Sequence, residues 1–125
     1  MEFLYPELTR EIMDCAYKVH SFLGPGLLES SYEECMYFEI LSRKLHAEKQ
    51  KPMPLIYNGR KLNVGYRLDL LVEKLVVIEI KSVDHLAPIH TAQLLTYLRL
   101  SECKVGFLMN FNVERMKDGI KRYIL

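Results

Sequence analysis

The stretch Gly65–Lys81, GYRLDLLVEKLVVIEIK, decides the fold of this chain. It consists of two apolar runs, with Asp69 early in the first run and Glu79 late in the second. The alternation of residue types predicts two strands, and the Glu73-Lys74 pair between them is short enough for a tight hairpin turn. Residues two apart share one face of a strand, so Glu79 and Lys81 project the same way. We therefore expect the hairpin to bring Asp69 beside Glu79.

Two carboxylates and an amine that converge in an otherwise apolar sheet admit two interpretations. Burying charged groups is costly unless they are paired or bound to a metal, so the cluster can mark a functional centre. It can equally be a surface ion pair on an exposed sheet face, because structural ion pairs imitate functional sites. The spacing of the three residues leaves both interpretations open.

The composition predicts a single globular domain over residues 1–125. A chain of 125 residues is large enough for one hydrophobic core and too short for two. Half of the residues are hydrophobic and 26% are charged, which excludes a disordered chain. The net charge of +1 gives no broad attraction to nucleic acid, so any such contact must come from a local patch.

The cysteines and the N-terminus predict a cytoplasmic protein without a membrane partner. Cys15, Cys35 and Cys103 are an odd number without CxxC spacing, which indicates reduced core thiols rather than disulfides or a zinc site. The N-terminus lacks the pattern of a signal peptide. No apolar run approaches the roughly 18 residues needed to span a membrane.

The first third of the chain predicts two helices. Apolar residues from Leu8 to Leu23 recur at three- and four-residue steps, with Thr9 or a neighbour as the cap. Gly24-Pro25-Gly26 ends this helix, and a second runs from about Leu27 to Lys44. Residues 42–51 are basic and polar; we interpret them as a solvated helix end and loop, with a phosphate-contacting strip as the alternative.

The rest of the chain predicts an antiparallel meander followed by a helix and further strands. Asn58-Gly59 is a strong type I′ hairpin signal before the strand that carries Asp69. The remaining predicted elements are a strand Leu55–Tyr57 opened by Pro52 and Pro54, a strand Leu75–Lys81, a helix from near Pro88 to Ser101, a buried strand Lys104–Phe111, a turn at Arg115–Asp118 and a short edge strand Gly119–Leu125. This order predicts a mixed α/β domain with helices around a central sheet.

Asp69 followed by Glu79-Ile80-Lys81 resembles the PD-(D/E)XK nuclease signature, although Leu68 replaces the proline that usually precedes the aspartate. The heptad Gly26–Tyr32, GLLESSY, matches the signature of the GxxExxY proteins, a branch of that superfamily. Without the resemblance, Glu29 also suits the positive end of a helix dipole, and Tyr32 suits a core position.

A third element lies in the helix after the hairpin. Gln93–Tyr97, QLLTY, resembles the QxxxY element of RecB-like exonucleases in the same superfamily. His90, Gln93 and Tyr97 share one helix face by their spacing. The alternative is a polar helix face with Tyr97 half-buried, and we expect His90 to be structural.

The resemblance implies a restriction-endonuclease-like core and a catalytic set of six residues: Asp69, Glu79, Lys81, Glu29, Gln93 and Tyr97. It implies that Mg²⁺ or Mn²⁺ is held by Asp69, Glu79 and the carbonyl of Ile80, with Glu29 as a direct or water-mediated ligand. Neighbouring carboxylates favour a charged Lys81, so we prefer a positioning and electrostatic role over a general base.

Three functional hypotheses follow. The leading one is a Mg²⁺-dependent nuclease that cleaves DNA, with RNA as the second choice of substrate. The second is a nucleic-acid-binding or accessory module that keeps the fold without cutting, and the third is a structural protein with an ion-pair network. The chain has all four charged residues of the implied site, which argues against the third hypothesis: Glu29, Asp69, Glu79 and Lys81. One small domain offers little surface to grip duplex DNA, which is compatible with a homodimer.

Overall fold

The computed structural model describes residues 4–125, which form a five-stranded mixed sheet flanked by three α-helices. The strands lie in the order β1-β2-β3-β4-β5; β3 and β4 are parallel, and the other neighbours are antiparallel. The elements are α1 Pro6–Leu23, α2 Glu29–Ser42, β1 Ala47–Tyr57, β2 Arg60–Val72, β3 Val76–Lys81, α3 Pro88–Ser101, β4 Val105–Asn110, a 3₁₀ turn Met116–Asp118 and β5 Ile120–Ile124. This arrangement confirms the predicted α/β class.

Both hairpin turns have the backbone that their residues predict. Asn58 and Gly59 have φ of 52° and 78°, and Glu73 and Lys74 have φ of 53° and 57°. Positive φ at both central positions defines the type I′ turn, whose twist matches that of the flanking strands. The predicted three-stranded meander is therefore confirmed.

The helices cover the two faces of the sheet. On one face, α1 and α2 contribute Ile12, Met36 and Ile40 to a core with alternate residues of β2, β3 and β4. On the other face, Leu94 and Leu98 of α3 pack against Val77 and neighbouring strand residues. Over residues 4–125, no helix combines the length and apolarity that crossing a membrane requires.

The start of the first strand was predicted wrongly. We expected loop up to residue 51 and a strand only at Leu55–Tyr57, but β1 begins at Ala47. Pro52 and Pro54 can lie inside β1 because β1 is an edge strand. On its outer side there is no partner strand, so a residue without an N–H costs no hydrogen bond of the sheet there. Pairing with β2, rather than local propensity, makes this polar segment extended.

The helix ends also differ from the prediction. Helix α2 spans Glu29–Ser42, two residues shorter at each end than expected. Helix α1 begins at Pro6, with Tyr5 as a left-handed N-cap. Thr9 is therefore inside the helix rather than its cap, and its hydroxyl donates to the carbonyl of Tyr5 at 3.0 Å.

Candidate active site

The sheet opens between β2 and β3 at two acids. Regular pairing ends where Leu70 faces Ile78, and the next two residues are Asp69 and Glu79. Here side chains replace the backbone ladder: the N–H of Asp69 donates to Oε1 of Glu79 at 3.2 Å, and the N–H of Ile80 donates to Oδ2 of Asp69 at 2.8 Å. The structure thus places the two carboxylates side by side, each held by the backbone of the opposite strand.

The neighbouring strand β1 is distorted at the same level. Lys49 pairs with Leu70 and Lys51 with Leu68, but Gln50 between them has a left-handed φ of 54°. Unpaired residues at such an irregularity re-aim their side chains. The amide of Gln50 accordingly reaches Oδ1 of Asp69 at 3.4 Å.

Strand β2 also changes face at Asp69. Leu68 and Leu71 both pack under α3, although residues three apart in a regular strand point to opposite sides. Because of this change of face, Asp69 lies between α1 and α2 on one side of the sheet and α3 on the other. Its carboxylate can therefore interact with groups from both faces of the sheet.

The surroundings of Asp69 and Glu79 do not fully balance the negative charge of the two carboxylates. Glu79 is 5% exposed, and burial, followed by the charge of Asp69, raises its pKa to about 8. Burial also raises the pKa of Asp69, while the N–H of Ile80 and the charge of Lys81 oppose the rise. A crowded carboxylate pair is relieved by binding a proton or a cation.

Lys81 lies two residues after Glu79 and is half-buried. Its charge lowers the pKa of both acids. Within residues 4–125, however, the ion pairs that form do not include Lys81. In the structure Lys81 therefore acts on the acid pair at a distance and is not locked into a direct ion pair.

Helix α2 brings two further acids towards Asp69. The exposed Glu29 accepts a bond from the N–H of Ser82 at 3.2 Å, and the hydroxyl of Ser82 donates to the carbonyl of Leu27 at 2.7 Å. These bonds tie the start of α2 to the end of β3. The charge of Glu29 still reaches Asp69, whose pKa it raises.

Glu33 is a neighbour of the acid pair that our sequence analysis missed. Burial, and then the charge of Asp69, raises its pKa, and Gln50 donates to its Oε1 at 2.7 Å. The signal was present in the sequence, because Glu33 follows Glu29 by four residues and so shares its helix face. Gln50 bridges Glu33 and Asp69.

The expected set of metal ligands is assembled only in part. Asp69 and Glu79 are together, whereas Glu29 is engaged by the backbone of Ser82. Across residues 4–125, no three His, Cys, Asp or Glu side chains stand close enough to form a ready metal-ligating group. The participation of Glu29 and of the carbonyl of Ile80 remains a prediction.

Helix α3 places Tyr97 near the acid pair and Gln93 beside Tyr97. The amide of Gln93 donates to the hydroxyl of Tyr97 at 3.1 Å. Burial raises the pKa of Tyr97, and the charges of Glu79 and Asp69 raise it further, which puts the phenol within electrostatic reach of both acids. Gln93 therefore touches the site through Tyr97.

His90 and Tyr32 have structural roles. Nδ1 of His90 accepts a bond from the N–H of Ala87 at 3.0 Å and so caps α3. Tyr32 is fully buried and stacks on Phe111, with ring centroids 4.6 Å apart. Its hydroxyl donates to the carbonyl of Gly24 at 2.6 Å and accepts from the N–H of Leu27 at 3.2 Å. Tyr32 thus fixes the loop that presents Glu29.

Cations of the basic segment at residues 42–51 are engaged by acids of the two N-terminal helices. Arg43 binds Glu11 at 2.8 Å, and Lys49 binds Glu34 at 2.6 Å. These cations are neutralised within the fold. Arg43 and Lys49 therefore do not favour the phosphate-contacting alternative, whereas Lys44 is exposed and takes part in no ion pair within residues 4–125.

The raised pKa of Glu79 predicts a pH-dependent stability in the absence of divalent cations. The reference pKa of a glutamate is 4.5, and the folded value is about 8. At pH values between 4.5 and about 8, Glu79 keeps a proton in the folded state that it releases in the unfolded state. The free energy of unfolding should therefore fall as pH rises through this window, by up to about 1.4 kcal/mol per pH unit.

Denaturant titrations in EDTA, from about pH 5 to about pH 8, measure this slope. Glu79→Gln should flatten it, whereas Glu102→Gln, an exposed acid at the end of α3, should not. Equal slopes for the wild type and Glu79→Gln would contradict the assignment.

A model of the PD-(D/E)XK nuclease superfamily matches residues 6–123, from α1 to β5. No curated protein and no solved structure matches the chain. The five-stranded mixed sheet with flanking helices agrees with the restriction-endonuclease-like fold of that superfamily. The matched region includes the acid pair, Lys81 and the Gln93–Tyr97 element.

Proposed function

This chain belongs to the PD-(D/E)XK nuclease superfamily, and we propose on that premise that it hydrolyses phosphodiester bonds in DNA with the aid of Mg²⁺ or Mn²⁺. The single observation that carries the proposal is the buried pair Asp69 and Glu79, held at an opening of the sheet by each other's strands. Such a pair is electrostatically unfavourable alone and favourable with a bound cation.

The donor set fits a hard divalent cation. Carboxylate and carbonyl oxygens are the ligands that Mg²⁺ and Mn²⁺ prefer, and we infer that Asp69, Glu79 and the carbonyl of Ile80 would hold the ion. Glu29 would contribute directly or through water, and Glu33 adds negative charge near Asp69. When bound, such an ion neutralises charge on a phosphoryl group and activates water for attack.

The other residues of the site would act on the substrate. The cationic Lys81 would donate a hydrogen bond to a phosphate oxygen or to the attacking water, which stabilises the charge that develops in the transition state. The phenol of Tyr97, oriented by Gln93 at 3.1 Å, would contact the phosphate from the α3 side. Both residues would thus position the scissile group, as near-attack geometry requires.

We also infer the branch of the superfamily, the substrate, the cellular compartment and the oligomeric state of the protein. The position of Glu29 beside the end of β3 supports a GxxExxY-type member, and the Gln93–Tyr97 bond near the acids supports a RecB-like element. We propose DNA as the substrate, the cytoplasm as the compartment, and a homodimer as an assembly that would enlarge the small binding surface.

A cleavage assay tests the proposed function. The wild type should cleave labelled DNA in Mg²⁺ or Mn²⁺ and leave it intact in EDTA. Glu79→Gln should remove cleavage because it removes one charge of the cation site while preserving the shape of the side chain. The matched control Glu102→Gln, at the residue that follows α3, should cleave like the wild type.

The same assay includes RNA as a second substrate. Cleavage of RNA but not of DNA would support the nuclease activity and show that the substrate is RNA instead of DNA. Retention of nucleic acid without any cleavage, in the presence of either cation, would contradict the proposal and favour the non-cutting module.

A further inference from the structure

The hairpin of β1 and β2 extends well beyond the rest of the sheet. Strand β2 runs from Arg60 to Val72, but only Leu70–Val72 pair with β3. Residues 51–68, which we call the arm, pair with one another and contact α3. The arm begins where Asp69 and Gln50 interrupt the strands, so its base lies at the acid pair.

The arm concentrates positive charge. It contains four basic residues and no acidic residue: Lys51, Arg60, Lys61 and Arg67. Since the whole chain carries +1, the remainder carries a net −3. Lys51 pairs with Glu48 at 3.0 Å. The other three are exposed and take part in no ion pair within residues 4–125. This is the local patch that a near-neutral protein needs to attract a polyanion.

A groove lies between the arm and α3. It has a volume of about 290 Å³ and is lined mainly by Leu55, Tyr66, Ile89, Gln93 and Tyr97. Tyr66 is 44% exposed, and its ring centroid is 6.3 Å from that of Tyr97 at an interplanar angle of 57°. An exposed aromatic face with apolar walls suits a flat aromatic group of small size.

Tyr97 connects the groove with the acid pair. This residue lines the groove, accepts a bond from Gln93, and lies within electrostatic reach of Glu79 and Asp69. A polymer that places an aromatic group in the groove would therefore run past the acids. A nucleic-acid strand has this combination of flat aromatic groups and a regularly charged backbone.

We propose that the arm and its groove bind single-stranded nucleic acid, with an unpaired base stacked on Tyr66 and the backbone attracted by Arg60, Lys61 and Arg67. The proposal rests on the proposed nuclease function and names its substrate class. A base inside a duplex has both faces covered by its neighbours and must be unstacked before it can enter a pocket. A single strand or a frayed end offers the base at no such cost, and stacking tolerates any sequence.

Charge-removing variants test the arm. Binding of a labelled oligodeoxynucleotide, single-stranded or as a duplex of the same sequence, is measured by anisotropy in EDTA so that no cleavage occurs. The triple change Arg60→Gln, Lys61→Gln and Arg67→Gln should weaken single-strand binding at least about tenfold. It should also reduce the slope of log K against log salt by about 2, which corresponds to three lost phosphate contacts.

A matched triple change removes the same charge elsewhere. Lys104→Gln, Lys117→Gln and Lys121→Gln affect exposed lysines outside the arm, in and around β4 and β5. This control should change affinity and salt dependence little. Equal losses from both triples would overturn the arm as the binding surface, because net charge alone would then explain them.

Aromatic variants test the groove. Tyr66→Ala should weaken single-strand binding about tenfold, as expected for one lost base-stacking contact, and Tyr66→Phe should restore it. Tyr17→Ala, which removes a similarly exposed tyrosine (37%) from α1, serves as the control. Melting curves verify that each variant is folded. Unchanged binding by a folded Tyr66→Ala protein would refute the stacking role.

The outcomes for the arm and for cleavage are separable. Arm-dependent binding of single strands without any cleavage would uphold the arm as the binding surface and refute the nuclease. Cation-dependent cleavage by an arm triple variant that binds as well as the wild type would refute the inference and leave the nuclease standing. Tighter binding of duplex than of single strand would overturn the assignment of substrate class.

Discussion

Mg²⁺ or Mn²⁺ should raise the melting temperature of the wild-type protein, and replacing both acids of the pair should abolish the rise. A ligand that binds only the folded state stabilises it by RT ln(1 + [L]/Kd), about 2.7 kcal/mol at a hundredfold excess over Kd. For a domain of this size, that corresponds to a shift of about 10 °C. Burial and the charge of Asp69 raise the pKa of Glu79 to about 8, so protons compete with the cation below that pH and the melting temperatures should be compared above it.

The double change Asp69→Asn and Glu79→Gln should leave the cation-free protein as stable as the wild type or more stable. It removes the repulsion between the carboxylates, and the amide oxygens can still accept the bonds from the N–H groups of Asp69 and Ile80. Scanning calorimetry with and without each cation measures both effects.

A structural ion-pair network makes the opposite prediction. Under that hypothesis, cations would have no effect, and neutralising the acids would destabilise the fold because Lys81 would lose its partners. The control pair Glu102→Gln and Asp118→Asn, two exposed acids outside the site, should retain the full cation shift. Titration calorimetry that shows no divalent-cation binding at about millimolar concentration, a binding free energy weaker than about −4 kcal/mol, would refute the metal site.

The hairpin could be predicted because its determinants are local. Two adjacent residues with positive φ form the turn after β2, and the alternation on either side sets the register. Given that register, Asp69 must come level with Glu79. The same logic holds for α3, where Pro88 marks the start and the apolar spacing of Leu94 and Leu98 marks the buried face.

The features that could not be predicted depend on contacts between distant segments. Gln50 reaches Asp69 only because β1 is irregular there, and nothing adjacent to Gln50 requires a left-handed residue. Glu29 is held by Ser82, 53 residues away in sequence. The length of β1 likewise follows from its partner strand, since its two prolines argue locally against a strand.

Lys81→Ala should lower the rate of DNA cleavage by about 10²–10³-fold while leaving cation binding intact. That is the usual cost of removing one preorganised group that stabilises developing charge. Lys81 has no direct ion pair with the acids within residues 4–125, so the cation ligands should keep their places without it. Single-turnover cleavage and titration calorimetry separate the chemical step from cation binding.

The pH of the binding measurement matters for this variant. The charge of Lys81 lowers the pKa of both Asp69 and Glu79, so its removal should raise both values further. Protons would then compete with the cation over a wider range, and binding should be compared above about pH 8. Loss of cation binding even there would mean that Lys81 organises the site instead of acting on the substrate.

Lys81→Arg distinguishes an electrostatic role from a general base. Arginine keeps the positive charge but is not deprotonated in proteins, so it cannot accept a proton from water. If Lys81 positions and stabilises, the arginine variant should recover at least about tenfold of the activity that Lys81→Ala loses, limited by the different geometry of the guanidinium. If Lys81 is the base, the two variants should be equally inactive. Lys104→Ala, an exposed lysine just before β4, should cleave at the wild-type rate.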